Sequence, residues 1–163
     1  MNTLHIYVSK GIVLIVLTLL LMQSACVAVL SHTEVYHTYL LLKIESDRSK
    51  AEVGQPIRIR FTTRNTGNEP IVLESPDTPV IDIVVDFSDG SELLTWSSHN
   101  PDQVVHRLEW KPGESKTIEF VWIPKREDIS IGSYKNAYPS GRLYSNGKIV
   151  KSAGVTVCAS DVC

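Results

Sequence analysis

Only three cysteines occur among 163 residues, Cys26, Cys158 and Cys163, so the chain is neither a disulfide scaffold nor the owner of a four-cysteine zinc site. Excess positive charge is also missing. Sixteen Lys and Arg face eighteen Asp and Glu, a net charge of -2, and a nucleic-acid partner has no electrostatic footprint to bind. No glycine-rich phosphate loop, nucleophile elbow or zinc-protease helix motif occurs, which removes the commonest routes to catalysis. Beyond Leu30 no segment carries a long apolar stripe at helical spacing, and this excludes a helical bundle. With 43% hydrophobic and 21% charged residues the composition is that of a globular domain.

What the sequence does contain begins with residues 11–30, GIVLIVLTLLLMQSACVAVL, a charge-free run of about 20 residues, long enough to cross a bilayer core as one helix. Lys10 precedes it and Glu34 is the first charge after it, so the positive-inside rule puts the N-terminus in the cytoplasm and the remainder outside. Three fates are open: a lipoprotein, an uncleaved anchor and a cleaved secretory signal. Ser24-Ala25-Cys26 resembles a lipobox, with Gln23 where an aliphatic residue is usual, and makes Cys26 the candidate lipidation site. Cys158 and Cys163 read as a local disulfide in an oxidising compartment, with free thiols or a metal site as the alternatives.

The chain divides into residues 1–30 as signal peptide or anchor, 31–39 as linker and 40–163 as the domain. Within the domain, period-two alternation recurs. Ile57, Ile59 and Phe61 alternate with Arg58, Arg60 and Thr62, and an arginine at alternate positions must face water. Leu42 and Ile44, Ile83 and Val85, and Ile118, Phe120 and Trp122 give the same signal. Asp89-Gly90, Lys111-Pro112-Gly113-Glu114 and Ser145-Asn146-Gly147 supply turns. Seven to nine short strands so punctuated predict an all-β, antiparallel immunoglobulin-like β-sandwich preceded by one N-terminal apolar helix. The expected core is Leu42, Ile44, Ile57, Ile59, Phe61, Ile83, Val85, Trp96, Leu108, Ile118, Phe120 and Trp122.

Chemistry-bearing residues are few. His32, Glu34 and His37 are metal-binding types, but on a linker nothing preorganises them. Residues 97–103 combine serine, histidine and aspartate without the oxyanion hole that a triad needs. Asp82 and Asp86 read as solvated charges on one strand face, and Arg58, Arg60 and Arg64 as their cross-strand partners rather than as a face for an anionic ligand. No catalytic residue, metal or cofactor is expected. Binding is expected at loops 75–80, 96–103 and 125–131, with Trp96, His99, Asn100 and Asp102 as the candidate contacts.

Residues 61–71, Phe-Thr-Thr-Arg-Asn-Thr-Gly-Asn-Glu-Pro-Ile, resemble the V-x-N-T-G-x-x-P-V strand-turn of bacterial immunoglobulin-like domains. Ile81-Asp82-Ile83-Val84-Val85, Asp89-Gly90, Thr95-Trp96-Ser97, Lys111-Pro112-Gly113-Glu114-Ser115, Phe120-Val121-Trp122 and Gly132-Ser133-Tyr134 then follow in the order of the BsuPI-type proteinase-inhibitor branch. The resemblance spans residues 40–134 and implies an immunoglobulin-like sandwich. Inhibition of serine proteases, inside the cell, is the activity attached to that family. The leading functional expectation is nevertheless a membrane-anchored, extracytoplasmic binding or accessory module, held by its N-terminal segment and facing a protein or cell-envelope partner. A proteinase inhibitor presenting a sandwich loop is the alternative.

Overall fold

The computed structural model describes residues 31–37, 39–88, 92–129, 134–144, 148–151 and 154–159. Along them run β1 (Ser31–His37), β2 (Leu40–Ser46), β3 (Lys50–Glu52), β4 (Ile57–Asn65), β5 (Ile71–Glu74), β6 (Ile81–Phe87) and β7 (Glu92–Thr95). A one-turn helix α1 (Trp96–His99) follows, then β8 (Arg107–Trp110), β9 (Ser115–Trp122), β10 (Tyr134–Leu143), β11 (Lys148–Lys151) and β12 (Val155–Cys158). The expected N-terminal apolar helix and Cys26 lie outside the described residues. Among the described residues no helix is long and apolar enough to cross a membrane.

One sheet has the order β1-β2-β4-β9, and the second has β3-β12-β10-β6-β7 with β11 also on β10. All pairings are antiparallel except β12 with β3. A separate ribbon joins β5 to β8. The two large sheets enclose one core, and the result is an immunoglobulin-like β-sandwich. Leu42, Ile44, Ile57, Ile59, Phe61, Phe120 and Trp122 face Ile83, Val85, Ala137, Leu143, Val155 and Val157. Each fully buried aliphatic or aromatic side chain contributes about 1.5–3 kcal/mol, which drives the two faces together.

Strand β4 carries the alternation that its sequence dictates. Ile57, Ile59, Phe61 and Thr63 are buried, while Arg58, Arg60 and Arg64 are exposed. Phe61 presses so closely on β10 that a Cβ at Gly141 would lie less than 3.0 Å from the ring, so only glycine fits there. The Lys111–Glu114 turn closes with a hydrogen bond from Glu114 N–H to Lys111 O at 3.0 Å, and Gly113 takes φ 77° at its third position.

Several expectations require correction. Residues 31–37 are not a linker but strand β1, paired along its whole length with β2. Its alternation is too weak to read, because pairing at an edge needs backbone groups rather than an apolar face. Leu108 and Ile118 are only half-buried. Strand β6 is covered on both faces, so Asp82 is buried rather than solvated, and Asp86 is half-buried beside Arg142 at 3.5 Å. Arg58 and Arg60 pair instead with Glu119, at 3.3 and 2.7 Å. The residues of the expected 145–147 turn lie outside the described residues, although β10 and β11 pair as that hairpin requires.

Asn65, at the end of β4, is wholly buried, and each of its polar groups has a protein partner. Its N–H donates to Glu114 O and its carbonyl accepts from Gly113 N–H, both at 3.0 Å. The side-chain oxygen accepts from Gly67 N–H at 2.9 Å, an Asx turn that reverses the chain. The side-chain N–H groups donate to Glu69 O at 2.7 Å and Trp110 O at 3.1 Å. Three segments, the turn through Gly67 and Glu69, the end of β8 and the Lys111–Glu114 turn, are thus tied to one residue. Asn65→Ala would strand Gly67 N–H, Glu69 O and Trp110 O and should lower stability by about 2–4 kcal/mol, read as a shifted denaturant midpoint at unchanged slope. In the same assay, Ile59→Arg buries an unpaired charge and should unfold the domain or nearly so. Arg60→Ile, on the wet face, should leave the midpoint almost unmoved. Equal effects of the last two would mean that the register is wrong.

Candidate functional site

A carboxylate inside an apolar strand needs hydrogen-bond donors, and those of Asp82 come from the loop after β7. Asp82 Oδ1 accepts from Ser97 N–H at 3.0 Å and from Ile83 N–H at 2.9 Å, and Oδ2 accepts from the Ser97 hydroxyl at 2.6 Å. Burial pushes the Asp82 carboxyl above the usual carboxylate range, opposed by the Ser97 and Ile83 hydrogen bonds and by the Arg142 charge. The carboxylate therefore pins the start of α1 to the sheet.

The rest of the loop is fastened by its own polar atoms. Thr95 caps α1, its hydroxyl accepting from Ser98 N–H at 3.2 Å. The Ser98 hydroxyl returns to Thr95 O at 2.8 Å, and Asn100 Nδ2 donates to Trp96 O at 2.9 Å. A 3-10 turn, Pro101–Gln103, follows. Of the four candidate contacts, Trp96 belongs to the core and cannot meet a partner. Asn100 is half-buried as a cap, while His99 and Asp102 are exposed. The His99 ring rests against Phe120, centroids 5.4 Å apart, and so brings the loop beside strand β9.

A neighbouring loop, 75–80, is stitched to the descending arm of this one. Ser75 N–H donates to His106 O at 2.9 Å and Val80 N–H to Val105 O at 3.0 Å. His106 Nδ1 lies 3.0 Å from Ser75 O and 3.1 Å from Thr78 O. Both are acceptors, so Nδ1 carries the proton and bridges them. Neither Asp82 nor His106 was singled out for this role from sequence. The interruption of an apolar run, Ile81-Asp82-Ile83-Val84-Val85, is the signal that a two-sided buried strand holds a carboxylate with a fixed partner. Of loop 125–131 the described part is 125–129, where Lys125 N–H donates to Asp128 Oδ2 at 2.7 Å within its own 3-10 turn.

This geometry does not make a nucleophile. Ser98 Oγ is 3.1 Å from His99 Nδ1, but that nitrogen also lies 3.0 Å from Thr95 O. A carbonyl only accepts, so Nδ1 holds a hydrogen and cannot take one from Ser98. Among the described residues no three His, Cys, Asp or Glu side chains converge on a metal position. Cys158 is disulfide-bonded, and its partner, like the expected Cys163, is outside the described residues.

The profile of a protein family described as BsuPI, intracellular proteinase inhibitor, matches residues 44–138. No curated protein sequence matches the chain. Among solved structures, the chain is similar to an alkylpurine DNA glycosylase of Pseudomonas fluorescens bound to DNA containing an abasic site analog, at 16% identity and TM-score 0.42, covering 70% of this chain and 29% of that one. It is similar to the CARDB domain of a Pyrococcus furiosus protein in complex with di-metal ions, at 14% identity and TM-score 0.40, covering 72% and 90%. A sporulation control protein of Bacillus subtilis aligns at 12% identity and TM-score 0.43, covering 76% and 51%. These structural likenesses are too loose to bear on function. The profile match does bear on it, and it overturns the expectation of a membrane-anchored, extracytoplasmic accessory module: the family is described as intracellular and as acting on proteinases. Hydropathy reports what residues 11–30 prefer as solvent, and nothing about what the folded domain recognises.

The Asp82 clamp can be tested by pH. A carboxyl raised on folding disfavours the folded state once ionised, so its contribution is full below the ordinary carboxylate pKa and is lost as pH rises through the folded value. Asp82→Asn keeps an acceptor for both N–H donors and offers its own N–H to the Ser97 oxygen, without a charge. The stability difference between variant and wild type, followed by chemical denaturation, should grow in the variant's favour as pH rises through the mildly acid range. A difference independent of pH would show that Asp82 does not ionise there.

Proposed function

Because the chain belongs to the BsuPI family of intracellular proteinase inhibitors, we propose that it is a non-catalytic inhibitor that docks the face formed by loops 96–106 and 75–80 against a serine protease. The observation that carries this reading is the Asp82 clamp. Ordering a loop on binding costs free energy for every side chain immobilised, and a loop already fixed by a buried carboxylate, a capped helix and a stitched neighbour has little left to lose.

The shape of the loop says how it would act. Proteases hold substrates extended, whereas residues Trp96–His99 and Pro101–Gln103 are helical. Such a loop cannot thread a cleft as a substrate does. It covers the cleft from outside, with Ser98, His99, Pro101 and Asp102 as its exposed contacts. Exclusion of substrate then needs no cleavable bond in the inhibitor.

Titration of a subtilisin-type and a chymotrypsin-type serine protease with the full chain tests the proposal. Activity should fall saturably while the chain stays uncut, and His99→Glu combined with Asp102→Lys should raise the inhibition constant at least tenfold in a variant that still melts cooperatively above the assay temperature. Unchanged protease activity at saturating chain, or inhibition indifferent to both substitutions, would refute the assignment to this loop face.

A further inference from the structure

The arm that descends from the helical part of the loop, residues 104–106, is built differently from the crown above it. Val104 is extended, with φ -67° and ψ 131°, and its side chain packs against the core. Side chains of an extended chain alternate, so Val105 turns the other way, and it is 40% exposed. The backbone behind it is fixed twice. Val80 N–H donates to Val105 O at 3.0 Å and Ser75 N–H to His106 O at 2.9 Å. The His106 ring, bridging Ser75 O and Thr78 O, fastens the next residue to the same neighbouring loop.

A single exposed apolar residue is common on protein surfaces and by itself marks nothing. Two features set Val105 apart. Among the described residues it is the only exposed large hydrophobic side chain on the face formed by 96–106 and 75–80, whose other exposed side chains are polar or proline. The second feature is its carbonyl. A serine nucleophile attacks the carbonyl of the residue whose side chain fills the specificity pocket, and the oxygen must then enter the oxyanion hole. Val105 O instead accepts from Val80 N–H, within the stitch between the two loops, and is held toward the inhibitor's own backbone.

We propose that Val105 is the anchor of the inhibitory face, its side chain filling an apolar specificity pocket of the protease while its carbonyl stays turned to Val80. This rests on the inhibitor reading and adds to it which proteases the face selects. An isopropyl group suits a small pocket lined by apolar side chains, as in elastase-type enzymes. It offers nothing to a pocket with a carboxylate at its base, as in trypsin-type enzymes. A side chain standing on a fixed backbone is buried on binding with little further ordering, which is what an anchor residue requires. Filling the pocket without presenting the carbonyl excludes substrate and leaves no bond to cut.

Inhibition constants of the full chain against an elastase-type and a trypsin-type protease, two enzymes of one fold, measure this selectivity. Wild type should inhibit the elastase-type enzyme at least tenfold more tightly. Val105→Ala removes two methyl groups and should weaken that inhibition about tenfold. Val105→Lys should abolish it and reverse the order in favour of the trypsin-type enzyme, with the circular dichroism spectrum of wild type kept in both variants. Mass spectrometry after prolonged incubation should find the 105–106 bond intact. Tighter inhibition of the trypsin-type enzyme by wild type, or cleavage after Val105, overturns the inference. Inhibition weakened by the His99→Glu, Asp102→Lys pair but unmoved by either change at Val105 sinks the anchor and leaves the inhibitor reading standing. Failure to inhibit any serine protease, the subtilisin type included, sinks both.

Discussion

The amide of Asn65 is the junction on which one end of this sandwich depends. Strand β4 must stop, the chain must reverse into β5, β8 must lie alongside and the turn before β9 must dock, all at one buried point. Each of these segments brings backbone groups that cannot be left unpaired out of water. A single side chain with one acceptor and two donors satisfies three of them, while its own backbone satisfies two more. The neighbouring Thr66 and Gly67 serve the same closure. Thr66 donates twice to Tyr39 O, at 2.7 and 2.9 Å, and a Cβ on Gly67 would strike the Tyr39 side chain. The Asn-Thr-Gly sequence is thus a stereochemical requirement of the corner rather than a mark of activity.

Asp82 plays the matching part on the second sheet, at greater energetic risk. An apolar residue would sit more comfortably between the covered faces of β6, and the upward displacement of the Asp82 pKa records that cost. What the carboxylate gives in return is position. It gathers Ser97 by both backbone and hydroxyl, and so determines where α1 begins and which of its side chains look outward. Trp96 is turned into the core and His99 toward Phe120. The charge distribution elsewhere is conservative. Glu45, Arg60 and Glu119 sit opposite one another across three strands, an alternation that keeps the outer face soluble and contributes little to stability in open solvent.

The amino-acid sequence by itself determined the fold class and the facing of its most regular strands. Alternation of isoleucine with arginine in β4 permits one orientation only, and Pro112-Gly113 permits one turn, because these are local constraints that each residue carries wherever it is placed. The family was legible from the same turns and core aromatics, and its description agreed with the alternative reading of function instead of the preferred one. Tertiary structure alone decided the rest. Whether Asp82 meets water depends on a second layer covering β6, and whether Trp96 is a contact or a core residue depends on the carboxylate that anchors its helix. The strand at 31–37 and the open edge at β9 are likewise decided by which neighbour a backbone finds. Side-chain periodicity is silent on this, because pairing runs through N–H and C=O groups that every residue possesses alike.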